Sequence, residues 1–150
     1  MNILIVDDEI DQLETLRRGL RSRGYEVREA TSAEEGLNIL HSQSSEIDLV
    51  LTDYWMRGIN GLQFLQAIRQ RFGNFPVIMM SGYIQKSTLD SALNHDCDCF
   101  LEKPFTLERL TAEIDRALHY QALPVHRNDD CFEDTKKNSM ADGKGRRNVR

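Results

Sequence analysis

Ile47-Asp48-Leu49-Val50-Leu51-Thr52-Asp53 is a short apolar run that ends abruptly in a carboxylate. Leu49, Val50 and Leu51 follow one another without polar alternation, the pattern of a strand buried on both faces. Asp53 stands where such a strand leaves the core. A carboxylate in that place can serve as a nucleophile, a metal ligand or a helix cap, and the rest of the chain decides among the three.

Working outward, Ile3-Leu4-Ile5-Val6 is a second continuous apolar run, and it too ends in acids, Asp7, Asp8 and Glu9. Ile10, Leu13, Leu16 and Leu20 recur at helical spacing, and Gly24 stops that helix. Tyr25, Val27 and Glu29 alternate with Glu26 and Arg28, which predicts a half-exposed edge strand. Ser32 with Glu35 three residues later has the spacing of a capping box, and Ala33, Leu37 and Leu40 continue the helix it opens. Beyond Asp53, a loop through Gly61 leads to a helix marked by Leu62, Leu65, Ile68 and Phe72. Pro76 introduces Val77-Ile78-Met79-Met80, which ends in Ser81-Gly82. Residues 86–94 form a weaker helix whose apolar content is Leu89, Ala92 and Leu93. Cys99-Phe100-Leu101 is a last short strand running into Glu102-Lys103-Pro104, and Thr106 caps a final helix carrying Leu107, Leu110, Ile114, Ala117 and Leu118.

Composition bounds the class. The 150 residues are 40% hydrophobic and 29% charged with a net charge of -5, as in an ordinary soluble protein of one domain. No run of 18 apolar residues exists and the start MNILIVDDE lacks a signal-peptide pattern, so the expected location is cytoplasmic. Cys97, Cys99 and Cys131 form no CxxC pair or even framework and are expected as reduced thiols; His41, His95, His119 and His126 have no ligand spacing. Periodicity dissolves after residue 121. Residues 121–150 hold seven Lys or Arg and five Asp or Glu and are expected to be a disordered polar tail, while residues 1–120 carry 12 basic and 19 acidic groups. That acidic balance argues against direct nucleic-acid binding by the folded part.

Five strands alternating with five helices predict an α/β domain with a parallel sheet and helices on both faces. Ligands of such sheets bind outside the carboxyl ends of the strands. Those ends deliver Asp7 and Asp8, Asp53, Ser81 and Lys103 to one rim. Clustered carboxylates want a cation, and oxygen-only ligands suit Mg²⁺. With a lysine and a hydroxyl beside it, such a site has the parts to stabilise a phosphoryl group in transfer, and Asp53, on the central strand, is the natural acceptor. No GxxxxGK[ST] or GxGxxG loop is present.

Together these residues resemble the receiver domains of two-component response regulators over residues 1–120. The resemblance is carried by Asp7-Asp8 after ILIV, by Asp53 in LTDYWM, by Gly61, by Ser81-Gly82 and by Lys103-Pro104-Phe105. It implies a flavodoxin-like, doubly wound (βα)5 fold with strand order 2-1-3-4-5. It implies that Asp53 accepts a phosphoryl group from a histidine kinase or histidine phosphotransfer protein. Mg²⁺ (or Mn²⁺) would be held by Asp8 and Asp53, by Asp7 through water and by the Trp55 backbone carbonyl. Ser81 matches the switch hydroxyl, Phe100 the switch aromatic and Lys103 the lysine that pairs with the phosphoryl group; the Lys103–Pro104 bond would be cis. Such a domain is a phosphoacceptor that catalyses only its own phosphoryl transfer and dephosphorylation, not an enzyme acting on other substrates.

The chain departs from the family pattern at Arg57, where proline is usual after Met56, at Asp96-Cys97, where Gly-Ala is usual, and at Ser81, where threonine is commoner. By the resemblance, Trp55 and Tyr83 occupy the two positions that in the family flank the phosphoryl group, and they are expected to shield it and lengthen its lifetime. The weak helix at 86–94 is expected to move on phosphorylation, as Ser81 shifts and Phe100 fills the space it leaves. With no output domain expected after residue 121, output would run through a downstream protein partner, with a homodimer through the fourth helix, fifth strand and fifth helix as one form. Two other readings remain. The first is a Mg²⁺-dependent phosphohydrolase with Asp53 as nucleophile, against which Trp55 stands where the haloacid dehalogenase type has a second Asp. The second is a receiver fragment of a larger DNA-binding regulator. The basic tail residues Lys144, Arg146, Arg147 and Arg150 could also form a nucleic-acid or partner arm.

Overall fold

The apolar run at the centre of the sequence is the central strand of a five-stranded parallel sheet, and all five of its residues, Leu49–Asp53, are buried. The computed structural model describes residues 1–83, Ser87, Asp90 and 98–120, with only the backbone of Tyr120. In order these form β1 (Asn2–Val6), α1 (Ile10–Ser22), β2 (Glu26–Ala30), α2 (Ala33–Gln43), a 3-10 turn (Ser44–Glu46), β3 (Leu49–Asp53), α3 (Gly61–Phe72), β4 (Val77–Ser81), β5 (Cys99–Glu102) and α4 (Leu107–Tyr120). Of the helix expected over 86–94, only Ser87 and Asp90 are described, both helical; its apolar residues, Asp96-Cys97 and the tail 121–150 lie outside the described residues. The sheet order is β2-β1-β3-β4-β5 with every pairing parallel, the flavodoxin-like order that the resemblance implied.

Side chains alternate across each strand, so each continuous apolar run feeds two cores. Leu4, Val6, Val50, Val77 and Met79 face α2 and α3; Ile3, Ile5, Leu49, Leu51, Ile78, Met80 and Leu101 face α1 and α4. Burying one such side chain contributes about 1.5–3 kcal/mol, which is why runs of three or four aliphatic residues suffice as strands. β2 lies at the sheet edge, as expected, and buries only Val27 and Ala30, one on each face. His41 and His119 are exposed, and Cys99 is buried with its Sγ 3.3 Å from Glu113 Oε2.

Several expectations need correction. Ile10 falls on the expected core stripe of α1 but is 70% exposed, and the stripe is buried only from Leu13 onward. Phe64, absent from the predicted stripe of α3, is fully buried, whereas Leu62 and Phe72 are only partly covered. Phe64 also presses on Gly36, where a Cβ would stand 2.9 Å from the Phe64 ring, so α2 packs closely on α3 through a missing side chain. Ser32 does cap α2, accepting from the Glu35 amide at 3.1 Å, but the Glu35 carboxylate returns to the amide and hydroxyl of Thr31 rather than to Ser32.

Candidate functional site

All five strands point the same way, so their carboxyl ends form one rim. Backbone pairing runs one residue past several strand ends and fixes the groups that follow. The Asp7 amide donates to the Ala30 carbonyl at 3.1 Å, the Tyr54 amide to Met80 at 2.7 Å and the Lys103 amide to Ser81 at 2.8 Å. After Asp53 the chain loops out and returns so tightly that the Gly61 amide donates to the Tyr54 carbonyl at 2.9 Å. A Cβ at Gly61 would lie 2.5 Å from the Asp53 carbonyl oxygen, so only glycine lets α3 start there. Asn60 and Gln63 close a reciprocal capping box at that start. The Lys103–Pro104 bond is cis.

The rim brings together Asp7, Asp53 and Lys103. The Lys103 ammonium donates to Asp53 Oδ1 at 2.7 Å, lies 3.6 Å from Asp7 Oδ2 and donates to the Gln12 side-chain carbonyl. Asp7 is fully buried and Asp53 is 5% exposed. Asp7 Oδ1 accepts from the Glu9 amide at 2.9 Å, while Asp7 Oδ2 is buried without a hydrogen-bond partner among the described residues. Burial raises the Asp7 pKa to about 6; the Glu9 amide pulls against it, the Asp53 charge adds to it and Lys103 opposes it. Burial likewise raises the Asp53 pKa, opposed mainly by the Lys103 hydrogen bond and charge. Lys103 is thus the group that opposes the effect of burial on Asp53.

Asp8 stands apart from this trio. Its Oδ2 accepts from the Arg57 backbone amide at 2.9 Å and lies 3.5 Å from the Arg57 Nε. Ser81 is fully buried at the end of β4, but its hydroxyl donates to the Tyr83 carbonyl at 2.9 Å and accepts from the Tyr83 amide at 3.3 Å. Phe100 is partly buried against the α2–α3 core. Trp55 and Tyr83 are exposed at the rim, 58% and 66%, and the Trp55 Nε1 reaches the Tyr83 carbonyl at 3.4 Å. Trp55 also meets Tyr54 edge to face, with ring centroids 4.8 Å apart.

Among the described residues, no three Asp, Glu, His or Cys side chains are disposed to hold a metal ion as they stand. The donor chemistry nevertheless fits a hard cation. The acids offer only oxygen, and Asp7 Oδ2, buried without a hydrogen-bond partner among the described residues, lies 3.6 Å from the Lys103 ammonium. The sequence reading missed Gln12, which steadies Lys103 from the first turn of α1. Gln12 sits at an ordinary polar helical position, so nothing in the chain order signals that contact.

The family model for the response regulator receiver domain matches residues 3–115. The chain is 34% identical over 119 residues to the nitrogen assimilation regulatory protein NtrX of Azorhizobium caulinodans, covering 78% of this chain and 26% of that one. It is 36% identical over 111 residues to the putative two-component response regulator ARR21 of Arabidopsis thaliana, covering 74% of this chain and 18% of that one. The chain therefore spans only a fraction of the length of these curated relatives. Its fold superposes on a receiver domain protein of Clostridium thermocellum with a TM-score of 0.77 at 30% identity, covering 81% of this chain and 96% of the other. It also superposes on the receiver domain of NtrX from Brucella abortus with a TM-score of 0.73 at 34% identity, covering 78% and 98%. No helix among the described residues is long and apolar enough to cross a membrane.

Proposed function

The chain belongs to the response regulator receiver family of two-component systems, and from that membership we propose that Asp53 accepts a phosphoryl group from a histidine kinase or histidine phosphotransfer protein. The observation that carries this reading is the Lys103 ammonium 2.7 Å from Asp53 Oδ1 in a nearly closed acidic recess. The Asp53 carboxylate attacks phosphorus as the phosphorus–nitrogen bond of the donor breaks, and the departing imidazole keeps the electron pair. Lys103 remains beside the new phosphoryl group and offsets its charge. Asp7, Asp8 and Asp53, with the Trp55 carbonyl, are the groups that would hold Mg²⁺ or Mn²⁺. That ion supplies Lewis-acid neutralisation of the phosphoryl oxygens when bound. The domain is thus a phosphoacceptor and not an enzyme for other substrates.

Intact-mass spectrometry after incubation with Mg²⁺ and acetyl phosphate tests this directly. The parent gains one phosphoryl mass and Asp53→Asn gains none; an unmodified parent, or equal labelling of Asp53→Asn, defeats the assignment.

Output follows from Ser81. Its hydroxyl is held by the Tyr83 backbone, and a dianionic phosphoryl group on Asp53 is a stronger acceptor than a carbonyl. Recruiting Ser81 frees space beside β4 that Phe100, opposite Met79 in the β4–β5 register, can enter. A phosphorylation-dependent protein-interaction surface, or a homodimer, around β5 and α4 then forms. An unchanged Phe100 ring environment by NMR on phosphorylation would dismiss this switch. Trp55 and Tyr83, joined over the rim, restrict water at the phosphoryl group. Trp55→Asn and Tyr83→Glu should each lose the phosphoryl group faster than the parent.

A further inference from the structure

Arg57 stands where the family usually has proline, and it meets Asp8 twice. Its backbone amide donates to Asp8 Oδ2 at 2.9 Å, and its Nε lies 3.5 Å from the same oxygen. A proline at this position could make neither contact, since it has no amide hydrogen and no charge. Gly58 follows with a φ of +79°, turning the chain directly after Arg57 and leaving its side chain 93% exposed. Among the described residues, Arg57 is the cation paired with Asp8. Lys103 serves Asp7 and Asp53, so the rim divides its cations between two groups of acids.

We propose that Arg57 is a built-in cation that competes with the divalent ion for Asp8 and so sets the metal concentration at which the domain becomes competent. The inference rests on the reading of Asp8 as a metal ligand. A divalent ion arriving at Asp8 Oδ2 meets a guanidinium of like charge at 3.5 Å and must displace it, whereas the amide hydrogen bond can persist on a second lone pair of that oxygen. The displaced side chain has only solvent to move into, so the competition is weak and salt-sensitive, as for any exposed ion pair.

The test is titration of the purified chain with MgCl₂, followed by fluorescence of its one tryptophan, Trp55, and confirmed by calorimetry. Three proteins are compared: the parent, Arg57→Gln, which keeps the amide and removes the charge, and Arg57→Pro, which removes both. Arg57→Gln should bind Mg²⁺ roughly two- to fivefold more tightly at low ionic strength, the range of an exposed pair. Its advantage should shrink in high salt. Arg57→Pro should bind at least as tightly as Arg57→Gln, with circular dichroism confirming its fold. Equal affinity of parent and Arg57→Gln, or weaker binding by Arg57→Gln, overturns the proposal while leaving the metal site standing. No Mg²⁺ binding by any of the three removes the metal reading and the proposal with it.

Discussion

Lys103 is the side chain on which two buried acids depend. With its ammonium 2.7 Å from Asp53 and 3.6 Å from Asp7, Lys103→Met leaves two carboxylates in a dry recess without a counter-charge. Chemical denaturation at pH 7 should show a loss of about 1–3 kcal/mol, the cost of stranding buried polar groups. Asp7 provides a pH signature. Its pKa is raised from 3.8 to about 6 by burial, so the folded state binds the proton more tightly than the unfolded chain does. Stability from this group is therefore full below about pH 4, falls as pH rises toward 6, and is flat above. In metal-free buffer, Asp7→Asn should remove that slope and be more stable than the parent at pH 7. If the two melting curves run parallel from pH 4 to 7, the burial of an ionised Asp7 is not what shapes the site.

At the scale of elements, the turn from β3 to α3 sets the position of Asp53. Gly61 lies so close that a Cβ would meet the Asp53 carbonyl oxygen at 2.5 Å and the Tyr54 Cα at 2.8 Å, both backbone atoms that cannot swing away. Gly61→Ala should cost about 1–3 kcal/mol, the range for overpacking, and slow Asp53 labelling by acetyl phosphate. Gly36→Ala, pressed by the Phe64 ring and the Val6 side chain, should lose stability without slowing the labelling. The end of β4 is a second such junction. The Tyr83 carbonyl accepts from both the Ser81 hydroxyl and the Trp55 indole. If a phosphoryl group on Asp53 draws Ser81 away, as proposed, that carbonyl loses one of its two donors, so Trp55 emission should shift on phosphorylation, and the shift should be lost in Ser81→Ala. An identical shift in Ser81→Ala would mean that Trp55 senses the phosphoryl charge directly.

At the scale of the whole molecule, two apolar layers on one sheet hold the rim rigid, and the family match ends at residue 115. A chain truncated after Tyr120 should therefore unfold at the same temperature as the full chain and label Asp53 at the same rate. A lower melting temperature would mean that residues 121–150 pack on the domain. Saturating Mg²⁺, at about a hundred times its dissociation constant, should add about 2.7 kcal/mol relative to chelator. The sequence alone determined the class of fold and the members of the rim. Short continuous aliphatic runs that alternate with amphipathic helices read as doubly buried parallel strands, and the residue that ends each run emerges at the carboxyl edge of the sheet, which put Asp7, Asp53, Ser81 and Lys103 on one side. Periodicity says which face of a helix is apolar but not where the sheet beneath it stops, so Ile10 was misplaced and Phe64 overlooked. Only the tertiary structure decided how the charges pair. Lys103 joins Asp7, Asp53 and Gln12, Arg57 takes Asp8, and Ser81 turns to Tyr83. Pairing depends on distances of a few ångströms between residues up to 96 positions apart, and chain order does not encode distances of that kind.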